Sequence, residues 1–179
     1  MKKRVKLHDR EFEVMIPEER ILEAVKRVAD KINADYTSDD CPILLGVLNG
    51  SFLFMADLAR QLNFRCEVSF MKIASYDGCS STGKVKELIG LNTSIKGRNV
   101  IVVEDIVDTG RSITYTLQIL RAMEVASVRV ATLFLKPEAY KGSDTIDYAA
   151  MEIGNEFIVG YGLDYNQLGR ELKDIYVTK

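Results

Sequence analysis

The feature that most constrains this sequence is the run at residues 100–116, where an apolar segment leads into three carboxylates and then a short polar loop. Four β-branched residues open the run, a composition typical of a parallel strand buried on both faces. Glu104 and Asp105 follow where we expect that strand to leave the sheet, and Asp108 begins the loop before a helical pattern. Ligands of open α/β sheets bind beyond the carboxyl ends of strands, so the run predicts a binding site.

The loop at residues 108–112 reads Asp-Thr-Gly-Arg-Ser and offers the groups that a phosphate needs. Backbone amides at a helix N-terminus, two hydroxyls and a glycine suit an anion, while the acids beside them suit sugar hydroxyls or a hydrated divalent cation. The simpler alternative is a strand–turn–helix with solvated acids, in which Thr109 or Ser112 caps the helix. That alternative leaves the repulsion between crowded carboxylates unrelieved. We therefore favour a site for a sugar phosphate.

This run resembles the phosphoribosyl pyrophosphate-binding signature of the type I phosphoribosyltransferases. Two hydrophobic residues, an acidic pair, two more hydrophobic residues and Asp-Thr-Gly occur in the strand–loop–helix context that the signature needs. The resemblance implies an α/β fold with a mostly parallel central sheet flanked by helices, and a small hood subdomain made from the N- and C-terminal segments. We expect a single domain over residues 1–179, with its core at about 18–145 and its hood from about 1–17 and 146–179.

The rest of the chain alternates strand and helix patterns, as such a fold requires. Helical periodicity occurs between Ile21 and Ile32, at residues 52–62 and from Ile113 to Met123. Strand patterns occur at residues 11–16, 42–48, 64–75, 85–91 and 127–135. This alternation predicts β-strands joined by helices around one sheet.

The sequence Leu-Asn-Gly-Ser at residues 48–51 lies between a predicted strand and a predicted helix. Such a turn suits an anion, although a plain connection would look the same. Hypoxanthine-type phosphoribosyltransferases carry a pyrophosphate-binding Leu-x-Gly-[Ser/Gly] loop here, often with a non-proline cis peptide bond entering x. The resemblance therefore implies that Asn49 and Gly50 bind pyrophosphate and that the bond from Leu48 to Asn49 is cis. The family usually has lysine at x, so Asn49 removes a charge from the loop.

A polar, glycine-containing run at residues 75–84 is long for a connection in a compact domain. Runs of this kind are typical of lids and binding loops, although a flexible insertion would have the same composition. Ser75 and Tyr76 match the start of the mobile loop that closes over the active site in the family. The resemblance implies a closure that excludes water from the reaction.

Two segments resemble the purine site of hypoxanthine–guanine phosphoribosyltransferases. Lys136 directly follows a predicted strand, where a lysine is often merely solvated, but in the family a lysine here donates to the purine 6-oxo group. In the tail, the resemblance assigns Phe157 to stacking on the base and the backbone of Ile158 to reading the edge of the base. It also implies that Asp164 helps to hold a second metal ion and that Arg170 faces pyrophosphate.

The resemblance implies that the 5-phosphoribosyl group passes from phosphoribosyl pyrophosphate to an imidazole nitrogen of hypoxanthine or guanine. Positioning and stabilisation of separated charge would drive this reaction. Asp108 would take the proton of purine nitrogen 7 as general base. Glu104 and Asp105 would hold the ribose hydroxyls directly or through Mg²⁺, for which Glu104, Asp105 and Asp164 offer hard oxygen ligands. The 5-phosphate is assigned to Thr109, Gly110, Arg111 and Ser112.

Composition narrows the cellular setting and the partners. The chain has 179 residues, enough for one substantial core, and a net charge of −2 gives no electrostatic case for nucleic acid or an anionic membrane. Three cysteines without a C-x-x-C and a single histidine argue against a structural zinc site. The N-terminus lacks a signal peptide and no apolar segment approaches bilayer length. We expect a soluble cytoplasmic enzyme, and the family implies a homodimer or homotetramer.

Three other interpretations share parts of the pattern. A non-catalytic regulator that senses phosphoribosyl pyrophosphate would keep the signature, but it would not need Lys136, Phe157 and Asp164. Receiver-type signalling domains also carry an acidic pair after a strand, normally the first strand, whereas here the pair falls past the middle of the chain. Asp-Thr-Gly at residues 108–110 matches aspartic proteases, whose fold is all-β. A phosphoribosyl-transferring enzyme explains more of the sequence than any of them.

Overall fold

The structure is a computed structural model that describes residues 3–73, 87–89 and 94–178. Its helices are α1 (Glu18–Asp35), α2 (Phe52–Ala59) and α3 (Arg111–Ala122). Its strands are β1 (Arg4–Leu7), β2 (Arg10–Ile16), β3 (Ile43–Val47), β4 (Glu67–Ile73), β5 (Glu87–Ile89), β6 (Asn99–Val107), β7 (Ser127–Leu135), β8 (Tyr148–Glu152), β9 (Ile158–Val159) and β10 (Ile175–Thr178). The predicted mobile-loop residues Ser75 and Tyr76 lie outside the described residues.

Within the described ranges, six strands form the core sheet in the order β5-β4-β3-β6-β7-β8. All neighbours from β4 to β8 pair in parallel, and only β5 at the edge is antiparallel. The β3 strand is buried along its whole length, because both faces of a parallel sheet are covered. The predicted α/β fold with a mostly parallel sheet is confirmed.

Side chains of the central strands alternate between two apolar layers. Leu44, Ile101 and Val103 pack with the buried faces of α1 and α2 in one cluster. Their neighbours along the strands, such as Leu45 and Val102, pack with α3 in the other cluster. This period of two assigns one helical layer to each face of the sheet. In the described part of the chain, no helix is long and apolar enough to span a membrane.

A smaller sheet, with strand order β1-β2-β10-β9, joins the N-terminal hairpin to the C-terminal tail. Its apolar side includes Leu7, Phe12, Val159 and Tyr176. The predicted hood is therefore confirmed as a unit built from both ends of the chain. The tail first contributes β8 to the core sheet, where it pairs in parallel with β7. The stretch at residues 148–152 thus belongs to the core sheet, although the sequence assigned residues beyond about 146 to the hood.

The strand that carries the acidic pair is longer than predicted. Pairing between β3 and β6 ends at Gly46 and Val103, but β6 continues along β7 as far as Val107, which pairs with Leu135. The acidic pair therefore lies within β6 and not beyond it. The chain crosses over from β3 to β4 on one side and from β6 to β7 on the other, so the β3–β6 boundary is the topological switch point. Crevices at such points are the usual ligand sites of open α/β sheets.

Asp174 connects the hood to the core. Its Oδ1 accepts a hydrogen bond from the backbone amide of Glu18 at 3.0 Å, and its Oδ2 accepts one from Lys3 Nζ at 2.9 Å. The residue before the first turn of α1 is Pro17, which has no capping side chain, so Asp174 caps the helix from a distant part of the chain. The hydrogen bond from Lys3 is the main reason that the pKa of Asp174 is lowered.

We predict that Asp174→Ala lowers the free energy of unfolding by about 1–2 kcal/mol, because it removes a helix cap and leaves the Glu18 amide without its partner. Urea denaturation followed by circular dichroism measures the change. Asp30→Ala is the matched control, since Asp30 forms an exposed pair with Lys26 within α1. It should change stability by less than about 0.5 kcal/mol. Equal effects of the two substitutions would contradict this role of Asp174.

Candidate active site

The predicted site residues that the structure describes lie on four segments, three of them at the carboxyl ends of β3, β6 and β7 and the fourth in the tail. They are Asn49 and Gly50 between β3 and α2; Glu104, Asp105, Asp108, Thr109, Gly110, Arg111 and Ser112 from β6 into α3; Lys136 after β7; and Phe157, Ile158, Asp164 and Arg170 in the tail. Parallel strands bring the first three segments to one edge of the sheet.

Glu104 and Asp105 form an acidic pair in β6, in which Glu104 is buried and Asp105 is partly exposed. Glu104 is only 5% exposed, and burial, followed by the charge of Asp105, raises its pKa well above the ordinary value. Burial also raises the pKa of Asp105 to about 6, although the amide of Ile106 donates to its Oδ1 at 2.8 Å and the charge of Arg170 opposes the shift. Ionising both carboxyls is therefore costly in the absence of a cation.

Gly50 packs directly against the acidic pair. A Cβ atom at this position would lie 1.4 Å from Oδ2 of Asp105, so only glycine allows the loop after β3 to approach β6 this closely. The peptide bond between Leu48 and Asn49 is cis, as predicted. At the end of the loop, the Ser51 hydroxyl donates to the carbonyl of Val47 at 2.6 Å. The loop is thus held with its backbone against Asp105.

Asp108 and Lys136 form an ion pair across the ends of β6 and β7. Lys136 Nζ lies 3.0 Å from Oδ2 of Asp108, and Lys136 is buried, whereas the Asp108 side chain is 47% exposed. The register of the strands produces this contact, because Val107 pairs with Leu135 and the amide of Lys136 then donates to the carbonyl of Val107. One cation and one accessible carboxylate therefore lie side by side at the sheet edge.

The loop leading into α3 lines a cavity of about 560 Å³ together with the connection after β7. Thr109, Arg111 and Ser112 are exposed, while Gly110 is buried and has a φ of +88°. A Cβ atom at Gly110 would lie 2.6 Å from the ring of Tyr140, so close packing as well as backbone conformation requires glycine. Exposed hydroxyls, a guanidinium and amides at the start of a helix suit a phosphate.

Sequence reasoning missed the opposite wall of this cavity, which the connection between β7 and β8 supplies. The wall contains Lys141, Gly142 and Ser143, and the amide of Lys141 donates to the carbonyl of Thr109 at 3.2 Å. The only local signal was a short polar run with a glycine, which is ordinary for a loop. Its position beside the phosphate-type loop follows from the tertiary structure.

Phe157 lies in the hood with an exposed side chain. It is 45% exposed, and its ring packs against Phe12 at 6.5 Å and Tyr165 at 5.9 Å between centroids. The Tyr165 hydroxyl donates to Asp9 at 2.8 Å, which fixes this support to the N-terminal hairpin.

The remaining tail residues behave differently from one another. Ile158 is buried and pairs with Val177, so its backbone is fixed in the hood sheet. Asp164 and Arg170, predicted to have separate roles, form an ion pair of 2.6 Å. Arg170 also donates through Nη1 to the carbonyl of Gly162 at 2.8 Å. The charges of Arg170 and Asp164 both act on the pKa of Asp105, which places this pair near that carboxyl.

A divalent cation would have to share ligands with a substrate at this site. Among the described residues, no group of three or more His, Cys, Asp or Glu side chains converges to hold a metal ion unaided. The acidic pair nevertheless offers hard oxygen donors whose repulsion a cation would relieve. Mg²⁺ is commonly bound by one or two carboxylates together with substrate phosphates and water, and the donor set fits that pattern.

Comparison with known proteins gives a consistent result. The family described as "Phosphoribosyl transferase domain" matches residues 16–166. The hypoxanthine-guanine phosphoribosyltransferase of Streptococcus agalactiae is 43% identical over 167 residues, which is 93% of this chain and 92% of the relative. The protein of the same name from Bacillus subtilis is 37% identical over 173 residues, or 96% and 95%. A crystal structure of a hypoxanthine phosphoribosyltransferase from Staphylococcus aureus has a TM-score of 0.86 at 34% identity, covering 93% and 91%.

The raised pKa values of the acidic pair predict that the free energy of unfolding falls as these carboxyls ionise at higher pH. The contribution of Asp105 to stability is complete below the ordinary pKa of a carboxyl and is lost as the pH rises through its folded-state pKa of about 6. Asp105→Asn should therefore raise the free energy of unfolding by about 1–2 kcal/mol at pH 7.5 and have little effect at pH 4. Urea denaturation in the presence of a chelator measures both values. A difference that is the same at both pH values would contradict the prediction.

Proposed function

The chain belongs to the phosphoribosyltransferase family, and we propose that it is a purine salvage enzyme that transfers the 5-phosphoribosyl group of phosphoribosyl pyrophosphate to hypoxanthine and guanine. The products are the purine nucleoside monophosphate and pyrophosphate. The observation that carries this proposal is the pairing of Lys136 with Asp108 at the edge of the core sheet. A 6-oxopurine presents an acceptor at its 6-oxo group and a proton on the neighbouring nitrogen 7. The lysine and the carboxylate complement these two groups.

Phosphoribosyl pyrophosphate would bind across the topological switch point. Its 5-phosphate meets the amides and hydroxyls of the loop from Thr109 to Ser112 and the guanidinium of Arg111. Its ribose hydroxyls face Glu104 and Asp105. Its pyrophosphate lies between the backbone of the loop at Asn49 and Gly50 and the guanidinium of Arg170. The close contact of Gly50 with Asp105 supports this arrangement, because it brings the two halves of the cleft together.

The chemistry follows from where charge develops. As the bond to pyrophosphate breaks, the ribose gains positive charge, which the carboxylates of Glu104 and Asp105 stabilise. The imidazole nitrogen of the purine forms the new bond to the ribose carbon, and the proton on nitrogen 7 passes to Asp108 as general base. Lys136 donates a hydrogen bond to the 6-oxo group and stabilises the negative charge that accumulates there. Phe157 stacks on the base and Ile158 reads its edge through the backbone.

Magnesium is the proposed cofactor. Glu104 and Asp105 would hold one Mg²⁺ ion and Asp164 would help to hold a second, each together with oxygens of the substrate, and the ions would neutralise charge on the leaving pyrophosphate. The acidic pair supports this assignment, because its carboxyls have raised pKa values that a nearby cation would lower.

A sensor of phosphoribosyl pyrophosphate on the same fold is less well supported. Such a regulator needs the phosphate loop and the acidic pair, but it has no use for a purine site. Here a buried lysine is held beside Asp108, and an exposed aromatic ring rests on two other rings in the hood. These features favour binding of a base.

The proposal also covers the whole molecule. Core and hood act as one domain, and closure of the loop that begins at Ser75 and Tyr76 would exclude water during transfer.

We propose that the enzyme assembles into the homodimer or homotetramer usual for the family. Exposed apolar side chains at Phe52 and Val68 are compatible with such an interface. Light scattering coupled to size-exclusion chromatography measures the assembly.

The acceptor preference tests the proposed function. In steady-state assays with hypoxanthine, guanine, xanthine and adenine, we expect hypoxanthine and guanine to react with the highest kcat/KM. Adenine presents an amino group to Lys136, where two donors would face each other, so its kcat/KM should be at least about 100-fold lower. Adenine as the best acceptor would refute the role of Lys136. A complete absence of transfer to any base would refute the assignment of the chain as a phosphoribosyl-transferring enzyme.

Replacing Asp108 by Asn should lower kcat by about 10²–10⁴-fold, because the general base is lost. The KM for phosphoribosyl pyrophosphate should change little, since Asp108 faces the purine in this proposal. Asp39→Asn, an exposed carboxyl between α1 and β3, is the matched control and should leave kcat unchanged. Unchanged turnover in Asp108→Asn would remove Asp108 from the mechanism.

A further inference from the structure

The turn at residues 160–162 lies between the hood and the loop at residues 48–51 that is proposed to bind pyrophosphate, called the pyrophosphate loop below. Gly160, Tyr161 and Gly162 all have positive φ angles, of +109°, +45° and +100°. A Cβ atom at Gly162 would lie 2.0 Å from the carbonyl oxygen of Gly50, and one at Gly160 would lie 2.1 Å from the carbonyl oxygen of Asp174. Glycines therefore let the turn pack directly onto the backbone of the pyrophosphate loop.

The side chain between these glycines reaches a second element. Tyr161 is only 4% exposed, and its hydroxyl donates to Oδ2 of Asp57 at 2.5 Å. Asp57 lies on α2, the helix that begins directly after the pyrophosphate loop. Burial and the hydrogen bond to Asp57 raise the pKa of Tyr161, so its hydroxyl stays protonated and remains a donor. Two contacts thus join the turn to the segment formed by the pyrophosphate loop and α2. One is the packing of Gly162 on Gly50, and the other is the hydrogen bond from Tyr161 to Asp57.

The same turn also holds Arg170. Besides the bond from the Arg170 side chain to the carbonyl of Gly162, the amide of Gly162 donates to the carbonyl of Arg170 at 2.9 Å. The guanidinium and the loop that are proposed to bind pyrophosphate are therefore located by one short turn. A displacement of this turn would move one of them relative to the other.

The position of the pyrophosphate loop relative to Arg170 is unusually important. Residues 48–51 carry no charged side chain, so the loop can hold an anion only through backbone amides and polar groups. Such hydrogen bonds depend steeply on distance and angle, and small misplacements of binding groups reduce rates and affinities strongly. The loop needs a fixed relation to Arg170, which supplies the positive charge.

We propose that Tyr161 and Asp57 are positioning residues for the pyrophosphate subsite. Neither needs to touch the substrate. Their hydrogen bond holds α2, and the loop that precedes it, against the turn to which Arg170 is hydrogen-bonded. This inference rests on the proposed function, because it assigns a purpose to the bond only if pyrophosphate binds between the loop and Arg170.

Tyr161→Phe keeps the buried ring and removes only the hydroxyl. We expect it to raise the KM for phosphoribosyl pyrophosphate, and for pyrophosphate in the reverse reaction, by about tenfold, while the KM for hypoxanthine changes by less than about twofold. Asp57→Ala should give the same pattern and serves as a second route if Tyr161→Phe does not fold. Asp57→Asn retains an acceptor oxygen and should restore the wild-type KM. The double variant Tyr161→Phe with Asp57→Ala should be no worse than either single variant.

Tyr148→Phe is the matched control. Tyr148 is also buried and donates to an aspartate, Asp35, at 2.6 Å, but it lies at the start of β8, away from the carboxyl edge of the sheet. It should lose comparable stability without changing the KM for pyrophosphate. If Tyr161→Phe and Asp57→Ala likewise lose stability but keep every KM, the bond is purely structural and the inference is overturned. A wild-type enzyme that transfers no phosphoribosyl group would instead overturn the proposed function, before any variant is compared.

Discussion

Glu104 and Asp105 lie side by side in β6, beyond the point where β3 stops pairing with it, and their burial makes ionisation costly. The neighbouring structure is fitted to this pair. Gly50 has no side chain, so that the loop after β3 can approach Asp105, and Arg170 brings a positive charge close enough to affect its pKa. Such an acidic centre is unfavourable for folding on its own and becomes useful when a ligand or cation supplies the missing charge.

The hood is fixed to the core, because the tail contacts the core at several points. Asp174 caps α1, and the turn around Tyr161 packs against the loop before α2 and bonds to that helix. These contacts join residues that are more than a hundred positions apart in sequence. The hood therefore carries the exposed ring of Phe157 while remaining fixed to the elements that surround the acidic pair. Both substrates of a transferase can be oriented by one continuous framework.

Membership of the phosphoribosyltransferase family explains why this framework occurs at the switch point of the sheet. The crossovers separate there, which leaves a crevice between the loops after β3 and β6. A substrate with phosphate at one end and pyrophosphate at the other can span that crevice. On the other side of β6, the pairing of Val107 with Leu135 brings Lys136 to Asp108.

The sequence by itself determined the alternation of strands and helices and the signature around Asp108, and the family resemblance implied the cis bond before Asn49 and a hood built from both ends of the chain. These follow from side-chain periodicity and turn chemistry, which act between near neighbours, and from a resemblance carried by short motifs. Only the tertiary structure decided how far β6 extends, because its end is set by pairing with β7. It also decided that Tyr140 fills the space beside Gly110 and that Tyr161 bonds to Asp57. Such contacts depend on strand register and packing between distant segments, for which a local pattern contains no signal.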